Sequence, residues 1–132
     1  MREVPWEELK RAAETAREQA YAPYSRYAVG AALLMEDGSI EAAGNVENGI
    51  PALSICAERN AISRAVNRGL RHPQALAVVT ESSPPAFPCG LCRQTLAEFA
   101  DDLPILVVNP QGESELSSLA ELLPKPFRLA PR

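Results

Sequence analysis

Apolar residues recur at helical spacing near the start of the chain. Trp6, Leu9, Ala12, Ala13, Ala16 and Ala20 follow Pro5, with the acidic Glu7 and Glu8 in the first turn, where the helix dipole favours them. The pattern predicts a first helix that ends before Pro23. Residues 27–35 are then apolar and β-compatible, Asp37-Gly38 is a hairpin turn pair, and 40–46 returns as a second strand, so two antiparallel strands are expected. A short connection at 51–55 leads into a helical pattern over 56–68, with Ile62, Ala65 and Val66 apolar and Gly69 as its stop. Residues 75–80 read as a buried strand, and the proline-rich stretch 82–88 as a loop feeding a helix over about 89–100. Residues 105–108 read as another buried strand, Pro110-Gln111-Gly112 as a turn, and 116–123 as a last short helix. Helices that follow strands in this way imply an α/β layered domain. No repeat, long linker or low-complexity tract divides the chain, so a single domain over 1–132 is expected.

Three cysteines change this picture. They fall in two short pieces, Cys56-Ala57-Glu58 and Pro88-Cys89-Gly90-Leu91-Cys92, each at a predicted helix start. Zinc held by three protein ligands keeps a fourth position for water and lowers that water's pKa from ~16 towards ~7. Glu58, two residues from a ligand, is placed to carry protons as general acid and base for a hydrolytic deamination. Three thiolates leave a zinc cluster negative. The two helix N-termini and Arg59, three residues after Cys56, offer compensating positive potential.

Other readings stay open on the residues alone. Cys89 and Cys92 could be a redox pair at a helix start, which leaves Cys56 and Glu58 without a role. His72 could complete a closed Cys₃His structural site, which would remove the open position. Glu58 could serve the helix dipole only, and Arg59 a surface ion pair. Arg64, Arg68 and Arg71 read as solvated or at a subunit contact.

Charge narrows the partners. A formal net charge of −4 argues against nucleic acid, whose binding depends on clustered Lys and Arg, and favours a small neutral substrate. An odd cysteine count gives no complete disulfide framework, and Cys-x-x-Cys suits a metal in a reducing compartment, so the cytoplasm is expected. The charged opening Met1-Arg2-Glu3-Val4-Pro5-Trp6-Glu7-Glu8 lacks the apolar run of a secretory leader, and no apolar stretch approaches the ~20 residues of a membrane span. A small domain with a site to keep dry also suggests a wall supplied by a neighbouring subunit.

With these motifs in hand, the chain resembles the cytidine deaminase family, of the short, homotetrameric, three-cysteine kind. The likeness extends through Ala22-Pro23-Tyr24-Ser25-Arg26-Tyr27, the strand Val29-Gly30-Ala31-Ala32-Leu33-Leu34, Asn45-Val46-Glu47-Asn48 and Glu121-Leu122-Leu123-Pro124. It implies a three-layer α/β/α fold with a mixed five-stranded sheet, and conversion of cytidine and deoxycytidine to uridine and deoxyuridine with release of ammonia. It also implies one Zn²⁺ per subunit on Cys56, Cys89 and Cys92, with Glu58 as proton shuttle. The Ala57 N–H would meet the pyrimidine carbonyl, Asn45 and Glu47 the sugar hydroxyl, and Tyr27 the base. Phe127 would reach the pocket of a neighbouring subunit in a homotetramer whose active sites lie at subunit interfaces. One departure stands out: where the family usually carries a tyrosine after the Asn-x-Glu-Asn element, this chain reads Gly49-Ile50-Pro51-Ala52-Leu53, a stiffer and more apolar stretch. A related aminohydrolase for another amino-pyrimidine, such as blasticidin S, is the alternative enzyme, and a zinc-stabilised binding module without turnover is the alternative of a different class.

Overall fold

The structure, a computed structural model, describes residues 3–130. Residues 1, 2, 131 and 132, the ends of the expected 1–132 domain and the first part of the charged opening, lie outside the described residues. The chain runs α1 (Trp6–Glu18), β1 (Gly30–Leu34), β2 (Ile40–Gly44), a 3₁₀ turn at Pro51–Leu53, α2 (Ala57–Asn67), β3 (Ala75–Val79), α3 (Gly90–Ala97), β4 (Pro104–Val108), β5 (Ser114–Ser118) and α4 (Leu119–Leu122). The strands form one mixed sheet in the order β2-β1-β3-β4-β5. β3 and β4 run parallel, and the other neighbouring pairs are antiparallel.

Strand alternation divides the core into two layers. Ala32 and Leu34 of β1 and Ala75, Ala77 and Val79 of β3 face α1, where they meet Leu9 and Ala13. Ala31 and Leu33 of β1 and Leu76 and Val78 of β3 face the other way, against Ala61, Ile62 and Ala65 of α2 and Leu96 of α3. Helices therefore cover both faces, giving the expected α/β/α arrangement. α1 sits very close to the sheet because Gly30 has no side chain: a Cβ there would fall 1.9 Å from the Ala13 carbonyl oxygen. α2 stops at Gly69, which takes a left-handed φ of 90° that costs a residue without a Cβ little.

The expected boundaries shift inward by a few residues at most elements. The exception is the C-terminal region: 116–123 is not one helix. Ser114–Ser118 is the fifth strand, paired antiparallel with β4, and only Leu119–Leu122 is helical, with the Ser118 Oγ accepting the Glu121 N–H at 3.2 Å. β5 is an edge strand whose Ser, Glu and Leu side chains are largely exposed, so its place depends on backbone pairing that apolar spacing does not encode.

Arg64 and Arg68 are engaged within the chain. Arg64 donates to the Ala42 carbonyl at 3.1 Å, and Arg68 pairs with the buried Glu41 at 3.2 Å. No helix among the described residues is long and apolar enough to cross a membrane.

Candidate active site

The two cysteine elements end up side by side. Cys56 is the cap residue of α2, in extended conformation, and its carbonyl accepts the Asn60 N–H at 3.0 Å. It is aimed by its neighbour Ile55, whose N–H and carbonyl both pair with Val46. Cys89 caps α3 in the same way, its carbonyl accepting from Arg93 at 3.0 Å. Arg93 ties down that corner by donating through Nε to the Pro88 carbonyl at 2.7 Å and through Nη1 to the Leu122 carbonyl at 2.9 Å.

The Sγ atoms of Cys56, Cys89 and Cys92 lie within 4.8 Å of one another; Cys56 to Cys89 is 3.8 Å and Cys89 to Cys92 is 3.5 Å. Hydrogen bonding from Cys92 draws the Cys56 thiol down to about 5, with Cys89 and the Arg59 guanidinium adding to the fall and burial opposing it. Cys92, hydrogen-bonded to the Cys56 sulfur, buried, and facing the charges of Glu58 and Cys56, is pushed strongly up. Three sulfurs crowded about one negative charge, with two helix N-termini directed at them, form a donor set suited to a soft divalent cation. Arg59 fits the same purpose. It donates to the Ser54 carbonyl at 3.2 Å, and its Nε is buried without a hydrogen-bond partner.

Glu58 is 5% exposed in the first turn of α2. Burial pushes its carboxyl up to about 7 and the negative charge on Cys56 adds to the rise. Its own backbone N–H, the Cys92 thiol and Arg59 pull the other way. A carboxyl poised near neutrality beside a metal-competent cluster is suited to taking and giving protons.

A cavity of about 220 Å³ opens in front of this cluster, at the carboxyl end of β3. Of the residues expected at the site, it brings together Tyr27, Asn45, Cys56, Ala57, Glu58 and Cys89. Ala57 is the first residue of α2, so its N–H has no carbonyl within the helix and is free to meet an acceptor in the cavity. The volume lies below the ~300–1,000 Å³ typical of small-molecule sites. One small flat ring fits within it.

Three expected residues are placed differently from one another. Asn45 lines the cavity, but its amide is largely taken up by backbone groups of Tyr27 and Val29. Glu47 lies outside the lining and holds the turn before β1, accepting the Tyr24 and Ser25 N–H groups at 2.9 and 3.1 Å and the Ser25 hydroxyl. Phe127 is 68% exposed and away from the cavity of its own chain, with its N–H and carbonyl both bonded to the Gln94 side chain. The 49–53 segment is exposed and also outside the lining. His72 does not join the sulfur cluster, so the closed Cys₃His arrangement is not formed; its N–H donates to Glu36 at 3.0 Å. Sequence reasoning missed Phe87, Thr80 and Ala86, which complete the wall with Val29 and Val78. The available signal was Phe87 itself, a single aromatic in a proline-rich loop directly before Pro88-Cys89.

Comparison with known proteins agrees with this arrangement. A family described as the cytidine and deoxycytidylate deaminase zinc-binding region matches residues 5–107. A cytidine deaminase of Sporosarcina psychrophila is 47% identical over 122 residues, covering 92% of this chain and 90% of its own. The crystal structure of a cytidine deaminase from Burkholderia pseudomallei superposes with a TM-score of 0.90 at 42% identity, over 94% of this chain and 100% of that one. A blasticidin-S deaminase of Bacillus cereus is more distant, at 31% identity over 76% of each chain. On its fold, its cysteine elements and these relatives, the chain belongs to the cytidine and deoxycytidylate deaminase family.

Proposed function

We propose that this protein is a zinc-dependent cytidine deaminase, hydrolysing cytidine and deoxycytidine to uridine and deoxyuridine with release of ammonia. The observation that carries the reading is the buried Glu58 carboxyl beside three converging thiols, at the back of a cavity sized for a pyrimidine ring. Zinc, held by Cys56, Cys89 and Cys92, supplies Lewis acidity that makes water a nucleophile at neutral pH. Arg59 and the N-termini of α2 and α3 offset the negative charge of the thiolates. Glu58 takes one proton from the attacking water and delivers it to the ring nitrogen, then takes the second from the oxygen newly bonded to carbon and gives it to the amine as the C–N bond breaks, leaving a carbonyl and ammonia. The Ala57 N–H meets the pyrimidine carbonyl. Tyr27 packs beside the ring, and Asn45 with Glu47, which lies outside the cavity lining, forms the sugar side, using the N–H and lone pairs that their contacts to Tyr24, Ser25, Tyr27 and Val29 leave over.

One zinc per subunit, a single catalytic domain over 1–132, a homotetramer and a cytoplasmic location in pyrimidine salvage complete the proposal. Exposed Tyr21, Ile50, Leu53, Leu91 and Phe127 support association, because these apolar side chains have no cover within the chain. In the assembly Phe127 reaches a neighbouring subunit's cavity. The net charge of −4 continues to favour a small nucleoside over nucleic acid. Cytidine is preferred to blasticidin S because the named cytidine deaminase is similar at 47% identity against 31%.

The test is zinc quantification with ultraviolet assays on cytidine, deoxycytidine, cytosine and blasticidin S. The two nucleosides should be converted at one zinc per chain, and Glu58→Ala should keep zinc and lose turnover. Turnover of cytosine alone, or of none of the four, overturns the reading.

A further inference from the structure

The cavity wall at 82–88 is a loop that cannot hold itself. Pro84, Pro85 and Pro88 lack N–H groups, and among the described residues 81–88 make no backbone–backbone hydrogen bond. Yet this loop carries Ala86 and Phe87 into the cavity and leads directly to Cys89. Side chains must therefore fasten it. Thr80 Oγ1 accepts the Ala86 N–H at 3.3 Å at one point, and the rest of its first half is held from the β4–β5 turn.

Asn109 is the centre of that hold. It is 5% exposed, directly follows β4, and does not line the cavity. Its Oδ1 accepts the N–H groups of Gln111 and Glu113 at 3.1 and 3.0 Å, which shapes the turn. Its Nδ2 donates to the Ser82 carbonyl at 2.9 Å and to Glu113 Oε1 at 2.7 Å. The same Oε1 accepts the Ser83 hydroxyl at 2.5 Å, and the Ser82 hydroxyl is hydrogen-bonded to the Tyr27 phenol. A continuous chain of bonds thus runs from a buried amide outside the cavity, through Ser82, to the aromatic ring on the cavity wall.

We infer that Asn109 is a positioning residue for substrate binding, fixing Tyr27 and the Phe87 wall through Ser82 with Glu113 as its brace; the inference rests on the deaminase reading above. Asn109 touches neither the cysteines nor the cavity, so losing its donor loosens the ring's wall and leaves the metal and Glu58 in place.

The test uses zinc-loaded Asn109→Asp, which keeps the acceptor for the turn and sets an oxygen against the Ser82 carbonyl. Both Nδ2 bonds, to the Ser82 carbonyl and to Glu113 Oε1, are lost, and the KM for cytidine should rise at least ~10-fold, with zinc content unchanged and kcat within ~3-fold. Glu113→Ala, at an exposed site where folding is secure, should shift KM in the same direction, and Glu113→Gln, which keeps Oε1, should restore it. Combined with Tyr27→Phe, Asn109→Asp should be less than additive, because both break one chain of bonds. Hydrogen exchange at the Ala86 amide, which the Thr80 hydroxyl holds, should quicken in Asn109→Asp while β1 and β3 keep their protection. An unchanged KM in both variants, additivity with Tyr27→Phe, or unaltered exchange at the Ala86 amide overturns the inference. A zinc-loaded wild type that leaves cytidine intact sinks the deaminase reading instead, and the exchange measurement then decides the fastening by itself.

Discussion

Asn45 grips the backbone on either side of Ala28: its Nδ2 donates to the Tyr27 carbonyl at 3.0 Å, and its Oδ1 accepts the Val29 N–H at 2.9 Å. The residue proposed to meet the sugar is therefore also the residue that sets the approach of Tyr27 to the cavity. One N–H and one lone pair of the amide remain for a ligand. Substitution by Asp keeps the acceptor but faces the Tyr27 carbonyl with a second oxygen. Asn45→Asp should lose about 1–3 kcal/mol of stability and raise KM, seen in urea denaturation and steady-state kinetics; a change in KM with no change in stability would contradict the double role.

Glu58 makes the metal-free protein pH-sensitive in a defined direction. Its carboxyl lies at about 7 when folded against an ordinary 4.5, so between those values the folded state holds a proton that the unfolded state has lost. Stability from this group therefore falls as pH rises from 4.5 to 7 and is level outside that window, with a full span of about 3 kcal/mol. Cys56, drawn down to about 5 from 9.0, works the opposite way, adding stability as pH rises between those values. It is present in both wild type and Glu58→Gln, so most of its own titration cancels in the difference between the two proteins. The advantage of Glu58→Gln over the metal-free wild type should grow from pH 5 to pH 8 in urea titrations. A difference that stays flat with pH refutes the assignment.

Cys92 is the buried member of the sulfur cluster. Zinc bound only by the folded state should raise the melting temperature of the wild type, in proportion to the logarithm of free metal once the site saturates. In Cys92→Ala that rise should disappear, with zinc content falling below one per chain and cytidine turnover lost. Calorimetry with and without added zinc reads the first effect. An undiminished rise in the variant would remove Cys92 from the ligand set.

Gly30 lets α1 lie against β1. A Cβ at this position would fall 1.9 Å from the Ala13 carbonyl oxygen and 2.7 Å from the Arg17 nitrogen, so the helix must move to admit it. Gly30→Ala should cost at least about 1–3 kcal/mol by denaturant unfolding. Gly90, with nothing within 4 Å of its Cβ position, is the control and should change stability by less than about 1 kcal/mol on the same substitution. Equal effects at the two glycines would show that the close approach of α1 carries no energetic weight.

Much of this was legible because chemistry and period agree. Cys56, Glu58, Cys89 and Cys92 are rare side chains whose combined spacing admits few uses, and Ala31 to Leu34 are apolar enough to reveal a buried central strand. Other parts left no mark on the linear pattern. Residues 116–118 of the strand Ser114–Ser118 fall in the expected 116–123 helix, because an edge strand exposes its side chains and is held by backbone pairing with β4. Phe87 and Asn109 are separated from Tyr27 by long stretches of chain, and only folding shows that one shares its wall and the other fastens it. Glu47 enters through the family resemblance as a sugar contact, and only the fold shows it as the acceptor that holds Tyr24 and Ser25.

Cys56, Ala57 and Glu58 are consecutive, and the start of α2 gives each a different direction: a sulfur to the metal cluster, a free N–H to the cavity, a carboxyl to the space between. Successive helical residues are turned by ~100°, so adding or removing one residue here would misdirect all three functions together. Cys89 and Cys92 belong to the start of a separate helix, α3. Change by insertion or deletion is thus closed to the first element, whose three functions share one turn of backbone.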